Sequence, residues 1–170
     1  MSRLLPPALA LLAAVASAGV LVKGRGKEVE AGATLALPGG GEVSLSYWTR
    51  GYVPETVTRM RADASVRESV NLKLVTLLGI ELRTSRPLRA GGRTIEPGSH
   101  RLGLTMNEGG AFSLSLLKER ELLSLPQRLH SDQPNEPYLG MRLGMREAAL
   151  FHLVWYFGTD RGEVAFYPAG

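Results

Sequence analysis

Short segments in which apolar and polar residues alternate are the feature that most constrains the fold of this chain. In the segment Glu42 to Trp48, every second residue is apolar and the residues between them are mostly polar. The segments 98–106 and 112–116 repeat the pattern, and turns rich in glycine separate such segments. Because side chains point alternately to the two faces of a strand, this pattern predicts strands with one buried face. The chain lacks the regular exchange of strand and long helix that is typical of parallel sheets, so we predict an antiparallel all-β fold.

Chain length sets the number of domains. The chain has 170 residues, no cysteine and 20 glycines. We assign residues 33–170 to a single domain and residues 19–32 to a linker. About eight strands with short turns favour an antiparallel β-sandwich of jelly-roll or immunoglobulin-like type, and a closed barrel is the alternative. Without cysteine, such a domain has no disulfide and depends on burial of its core.

The first 18 residues have the layout of a secretory signal peptide. Arg3 is followed by an apolar stretch and then by the small-residue sequence Ala16-Ser17-Ala18. This order predicts cleavage after Ala18 and a secreted or periplasmic protein. The alternative is an uncleaved signal anchor that extends to Val22 and holds the protein at the membrane. Pro6-Pro7 favours cleavage.

Three segments of the body are assigned individually. The charged segment 56–70 fits either one short helix or an irregular connection. Leucine and isoleucine at every second position predict a long core strand over 71–83, with a bulge at Gly79. The segment 118–137 contains three prolines, so we predict a surface loop with a helical turn at 120–125.

Near the end of the chain, the apolar segment 148–157 predicts a strand that is buried on both faces. A type I turn is predicted at Thr159 to Gly162 before the last strand.

One stretch resembles a known family. The sequence from Pro87 to Leu102 contains the pattern G-x-x-I-x-x-G-x-H-x-L, which begins at Gly92. This pattern, the segment 110–114 and the strand 150–157 resemble a family of secreted bacterial β-sandwich proteins that is defined only as a domain of unknown function. The resemblance spans residues 66–168 and implies a fold and a location, but no activity. Residues before it lack the family's Trp-Arg-Thr-Gly element, so no shared site is implied there.

Charge and motifs exclude several functions. The formal net charge is +4 and only 6% of residues are aromatic, which does not suit nucleic-acid binding. No G-x-S-x-G sequence for a nucleophilic serine occurs. We therefore expect a non-catalytic binding or structural module without a cofactor. Candidate partners are a glycan or another envelope protein, and a membrane only if the leader is retained.

Candidate ligand-binding residues come from the aromatic residues at and just after the end of the predicted strand 42–48 and from the long polar loop. Aromatic rings stack on sugars, and polar loops commonly carry binding sites. The candidates are Tyr47, Trp48, Tyr52, His130, Asp132 and Tyr138.

The pair His130 and Asp132 supports an alternative function. Together with Glu121 or Glu136, these side chains offer the nitrogen and oxygen ligands of a metal ion. A metal-assisted hydrolase of the cell envelope is therefore the alternative, although two polar side chains that simply face solvent are the simpler interpretation of the pair.

The other two histidines are interpreted structurally. We expect His100 to be a hydrogen-bonded residue beside a turn. We expect His152 to be buried and hydrogen-bonded.

The leader supplies the first testable prediction. If it is cleaved, the purified protein begins at Gly19 and stays in the supernatant after membranes are pelleted. N-terminal sequencing and fractionation measure both properties. A chain that begins at Met1 and pellets with membranes would instead establish the signal anchor.

Overall fold

The computed structural model of the protein describes residues 29–130, 134–147 and 150–169. The predicted signal peptide lies outside these ranges. The described residues form twelve strands and two helices. In chain order they are β1 (Glu30–Ala36), β2 (Glu42–Trp48), α1 (Pro54–Ala62), α2 (Ala64–Leu78), β3 (Ile80–Thr84), β4 (Leu88–Ala90), β5 (Arg93–Ile95), β6 (Gly98–Met106), β7 (Phe112–Lys118), β8 (Glu121–Ser124), β9 (Gln127–His130), β10 (Glu136–Glu147), β11 (Leu150–Gly158) and β12 (Asp160–Pro168).

The strands form two antiparallel sheets that pack face to face. The first sheet has the order β1-β2-β3-β6-β7-β8. The second has the order β10-β11-β12-β4-β5, and β9 also pairs with β12. The predicted all-β sandwich is therefore confirmed. Within the described ranges neither sheet closes on itself, so the barrel alternative is wrong.

The alternating segments form strands with the predicted faces. Val43, Leu45 and Tyr47 of β2 are buried between the sheets. The turns between β1 and β2 and between β6 and β7 lie where glycines predicted them. In the first of these turns the N–H of Leu37 donates to the carbonyl oxygen of Gly41 over 2.9 Å. Local turn chemistry thus establishes both hairpins.

A side-chain network around Trp155 joins the sheets at one end of the core. Trp155 of β11 is fully buried, and its indole N–H donates to Oε1 of Gln127 over 3.2 Å. The same Gln127 oxygen accepts the N–H of Leu114 on the first sheet over 3.0 Å. The Gln127 amide nitrogen donates to the carbonyl oxygen of Leu114 over 3.1 Å. Gln127 therefore pairs with β7 as a strand backbone would, and it satisfies the polar groups that burial takes from water.

A second polar contact joins the sheets through Tyr47. Its hydroxyl oxygen accepts the N–H of Met141 over 2.9 Å and donates to the carbonyl oxygen of Met141 over 3.4 Å. Since Tyr47 lies on β2 and Met141 on β10, the contact aligns the two sheets at the opposite edge.

The predicted strand over 71–83 is wrong over its first part, because residues 64–78 form helix α2. Val66, Val70, Leu74 and Leu78 recur every four residues and pack on the core, so the helical period outweighs the period-two pattern. Gly79 is the left-handed residue that ends the helix, with φ of 50°, and does not form a bulge.

Two further predictions are corrected. The predicted loop over 118–137 contains β8 and β9, which replace its helical turn. The predicted turn at Thr159 to Gly162 is shorter, since β12 begins at Asp160. Gly158 makes the reversal, with φ of 61°, and a Cβ there would lie 2.2 Å from the Tyr52 ring. The segment 56–70 is helical, in two helices with a break at Asp63.

We predict that Gln127→Leu destabilises the protein by about 3 kcal/mol, because it leaves the buried N–H groups of Leu114 and Trp155 without an acceptor. Urea unfolding followed by tryptophan fluorescence measures the loss. Ser124→Leu, at an exposed position of β8, is the control and is expected to change stability by less than about 0.5 kcal/mol. An equal effect of the two substitutions would contradict the role of Gln127.

The start of α2 gives a pH-dependent prediction. The Ser65 hydroxyl, followed by the backbone N–H groups of Val66 and Ser65, donates to the Asp63 carboxylate and holds the pKa of that carboxyl below its ordinary value of 3.8. A lowered pKa means that Asp63 stabilises the folded state above pH 3.8 and that this stabilisation is lost as the pH falls through the folded pKa.

The test compares the unfolding midpoints of Asp63→Ala and of the unsubstituted protein between pH 7 and about pH 2. We expect Asp63→Ala to be less stable at neutral pH and the difference to shrink in acid. Asp63→Asn keeps an acceptor for the helix N–H groups, so its capping should not titrate. A pH-independent deficit of Asp63→Ala would show that the charge contributes nothing.

Candidate functional site

The outer faces of the two sheets differ in what covers them. Helix α2 lies on the outer face of the first sheet, where the Asn71 side chain bonds the backbone N–H and carbonyl oxygen of Met106, each over 2.8 Å. A Cβ on Gly103 of β6 would lie 3.0 Å from Val75 of α2, so glycine there allows the close approach. Neither described helix packs on the outer face of the second sheet. That face is therefore open to a ligand.

Strand register determines which side chains share the open face. Directly paired residues in antiparallel strands point to the same side. Tyr156 of β11 is paired with Gly140 and with Arg161, and Arg161 is paired with His130 of β9. Along the next rung, Val154 is paired with Arg142 and with Glu163, and Glu163 with Arg128. The core residues Leu153 and Trp155 point the other way.

Strand β10 contributes glycine and arginine in alternation to this face. A Cβ placed on Gly140 or Gly144 would meet no atom within 4 Å, so open space lies above both. Arg142 and Arg146 are exposed at the positions between and beyond them. A hollow of about 420 Å³ results, which we call the basic groove; its polar lining consists of Arg142, Arg146, His152, Arg161 and Glu163.

The Glu163 carboxylate lies among the basic side chains of the basic groove. Its Oε1 accepts a hydrogen bond from Nη1 of Arg146 over 3.4 Å and contacts Nδ1 of His152. Its Oε2 lies 3.7 Å from Nη2 of Arg161. The Glu163 side chain is only 17% exposed, which strengthens these interactions relative to those of a surface ion pair. One carboxylate thus gathers two guanidinium groups and an imidazole.

Donors in the groove outnumber acceptors. Each guanidinium carries five N–H donors, whereas Glu163 is the one carboxylate among the lining residues. Nε of Arg161 and Nε2 of His152 are buried, and neither has a hydrogen-bond partner among the described residues. Buried polar atoms are normally paired, and a guanidinium nitrogen can only donate, so Nε of Arg161 indicates a site suited to an added acceptor.

Tyr156 holds two of the arginines in place. The guanidinium carbons of Arg142 and Arg161 lie 5.5 Å and 5.4 Å from its ring centroid. Cation–π contacts of this kind orient a guanidinium without consuming its in-plane donors. The same contacts cover the ring, so the groove is better suited to an anion than to a stacked sugar.

The predicted aromatic site is divided by the first sheet. Tyr47 lies in the core between the sheets, whereas Trp48 points to the helix side, where Gly79 approaches its indole. A Cβ on Gly79 would lie 3.3 Å from Cδ1 of Trp48. The two side chains lie on opposite sides of the sheet, because neighbours in a strand face opposite ways, and their role in ligand binding stays a prediction.

The other predicted residues are partly brought together. Tyr52 packs edge-on against Phe157 with centroids 5.2 Å apart, and its neighbour Gly51 pairs with Tyr138. Tyr138 is exposed, and His130 lies on the open face opposite Arg161.

The residue Asp132 lies outside the described residues, so the predicted pair with His130 is not tested. Among the described residues, no three histidine, aspartate or glutamate side chains are grouped to hold a metal ion.

Of the remaining histidines, His100 is bonded beside its turn as predicted, with Nε2 2.6 Å from the carbonyl oxygen of Glu96. His152 is buried as predicted.

Sequence reasoning missed Glu163, the partner of His152, and the arginines of β10. A signal was present in the segment 140–146, where glycine and arginine occupy alternate positions on the face opposite the buried leucine and methionines.

A larger hollow, of about 560 Å³, lies between α2 and β8. Leu72, Val75 and Leu122 make much of its lining apolar, and Leu72 is 70% exposed. Nothing in the described residues indicates what would cover it.

Neither described helix has the length and apolar character that crossing a membrane requires.

Comparisons with protein-family models, with curated proteins and with solved structures find no significant match to this chain. The geometry of the basic groove is therefore the basis for a functional proposal, and the resemblance of residues 66–168 to a secreted β-sandwich family stays a prediction.

Proposed function

We propose that this protein is a non-catalytic binding module that acts outside the cytoplasm and holds an anionic ligand in the basic groove. The observation that carries the proposal is the excess of guanidinium donors over acceptors on the open face of the second sheet. Arg142, Arg146 and Arg161 stay charged at any physiological pH. Arginine in such a setting recognises oxyanions through paired N–H groups.

Placement on a sheet suits a binding role. Strands β10, β11 and β12 are paired along most of their length, so the groove side chains stand on a rigid support. Tyr156 and Glu163 limit the freedom of the arginines before any ligand arrives. Side chains that are already ordered lose less conformational entropy on binding.

The sequence supports the location. Residues 1–18 have the layout of a signal peptide, which directs a protein out of the cytoplasm. The family that residues 66–168 resemble is also secreted. An anionic glycan and an acidic surface of another envelope protein both fit the expected partners, since either presents oxyanions to the groove.

We expect anionic sugars to raise the thermal unfolding midpoint by several degrees when present at about 100 times their dissociation constant, since binding then contributes about 2.7 kcal/mol. Neutral sugars of the same size should produce no shift. Each compound is measured at constant ionic strength, because salt screens exposed charges.

Substitution locates the effect. Arg142→Gln with Arg146→Gln should abolish the shift, whereas Arg93→Gln with Arg89→Gln, on β5 and β4, removes the same charge outside the groove and should retain it. No shift with any anion, or a shift that the control pair also abolishes, would overturn the proposed function.

A further inference from the structure

We propose that the basic groove selects a phosphate monoester over singly charged anions and that Glu163, by repelling the bound anion, lowers both the affinity of the groove and this preference. This inference rests on the proposed function, because it names the ligand class of the same groove.

The charges lining the groove set the charge of the ligand. Arg142, Arg146 and Arg161 supply three positive charges, and Glu163 supplies one negative charge. Two positive charges therefore remain without a counter-ion among the lining residues when His152 is neutral. A doubly charged phosphate monoester balances them, whereas a carboxylate or a sulfate ester leaves one unbalanced.

Contact geometry leaves room for a second acceptor. Oε1 of Glu163 accepts a hydrogen bond from Arg146. Its Oε2 lies 3.7 Å from Nη2 of Arg161, which is too far for a short hydrogen bond. Arg142 makes no ion pair with Glu163; its guanidinium lies over Tyr156. Each arginine therefore keeps N–H donors that a phosphoryl group with three terminal oxygens can accept.

One buried donor in the groove has no acceptor. Nε of Arg161 is buried and lacks a hydrogen-bond partner among residues 29–130, 134–147 and 150–169, and a guanidinium nitrogen can only donate. The missing side chain of Gly144, which lines the same hollow, leaves open space beside the arginines. A phosphoryl oxygen in the groove would supply the acceptor that Arg161 lacks.

Glu163 has two opposing effects on such a ligand. It holds Arg146, Arg161 and His152 together, and its own charge repels an incoming anion. At separations of about 6 Å and an effective dielectric constant of about 20, one unit charge changes the affinity of a singly charged ligand by roughly a hundredfold, and that of a doubly charged ligand by more. We infer that the repulsion is the larger effect, because Tyr156 orients Arg142 and Arg161 without help from Glu163.

The first experiment uses the unsubstituted protein, so it does not depend on how a variant folds. Calorimetry at constant ionic strength compares glucose 6-phosphate, glucose 6-sulfate and glucuronate. We expect the phosphate to bind at least fivefold more tightly than either singly charged compound. Equal affinities would overturn the inference while leaving the proposed function intact, and no binding by any of the three would remove both.

A second arm separates two sources of the same chemistry. Vesicles of phosphatidylcholine with phosphatidic acid present a phosphate monoester on a lipid, and vesicles of phosphatidylcholine alone are the control. Binding of glucose 6-phosphate without co-sedimentation on phosphatidic acid identifies a soluble ester or glycan as the source. Co-sedimentation that free glucose 6-phosphate competes away identifies a lipid head group.

Substitution tests the role of Glu163. We expect Glu163→Gln to tighten binding of glucose 6-phosphate by about tenfold or more and to widen its preference over glucuronate, because the carboxylate repels a doubly charged ligand more strongly than a singly charged one. Glu136→Gln removes the same charge at the far end of β10 and should leave affinity within about twofold. Thermal unfolding of each variant verifies that it folds. Unchanged or weaker binding by a folded Glu163→Gln would overturn the inference.

Discussion

The contact between Trp155 and Gly162 is the constraint on which the arrangement of the two sheets depends. A Cβ on Gly162 would lie 2.2 Å from Nε1 of Trp155, so the indole occupies the space that the side chain of any other residue type at this position would need. With its N–H bound by Gln127, the ring is held in one orientation in the core. Gln127 also forms hydrogen bonds with the backbone of Leu114 on β7 and so links the indole to the first sheet. Close packing at one glycine therefore positions the indole on which this link between the sheets depends.

The same strands connect the core to the open face. Gly162 is flanked by Arg161 and Glu163, whose side chains point outward because neighbours in a strand alternate. Trp155 is flanked in the same way by Val154 and Tyr156. Any shift of β12 against β11 by one residue would exchange core and groove residues. Packing inside the sandwich therefore also maintains the spacing of the charges outside it.

The two outer faces of the sandwich differ in what covers them. Helix α2 covers the first sheet, where Asn71 bonds the backbone of Met106 and satisfies polar groups under the helix. The outer face of the second sheet is open, and its charged side chains contact solvent. Since Glu163 is largely buried among cations, an anionic ligand would extend a charge network that the folded protein has already begun to assemble.

Sequence alone determined the class of fold and several of its parts. Alternation in β2, β6 and β7 and the glycine turns between strands are local properties, because side-chain direction and turn geometry depend on adjacent residues. Residues 71–78 were misassigned since their leucines fit two periods, and the packing of Val70 and Leu74 on the first sheet decides between them. The set of residues that meet in the basic groove, in contrast, was decided only by the tertiary structure. Arg146, His152, Arg161 and Glu163 come from three strands, and their meeting requires a register that no single segment encodes.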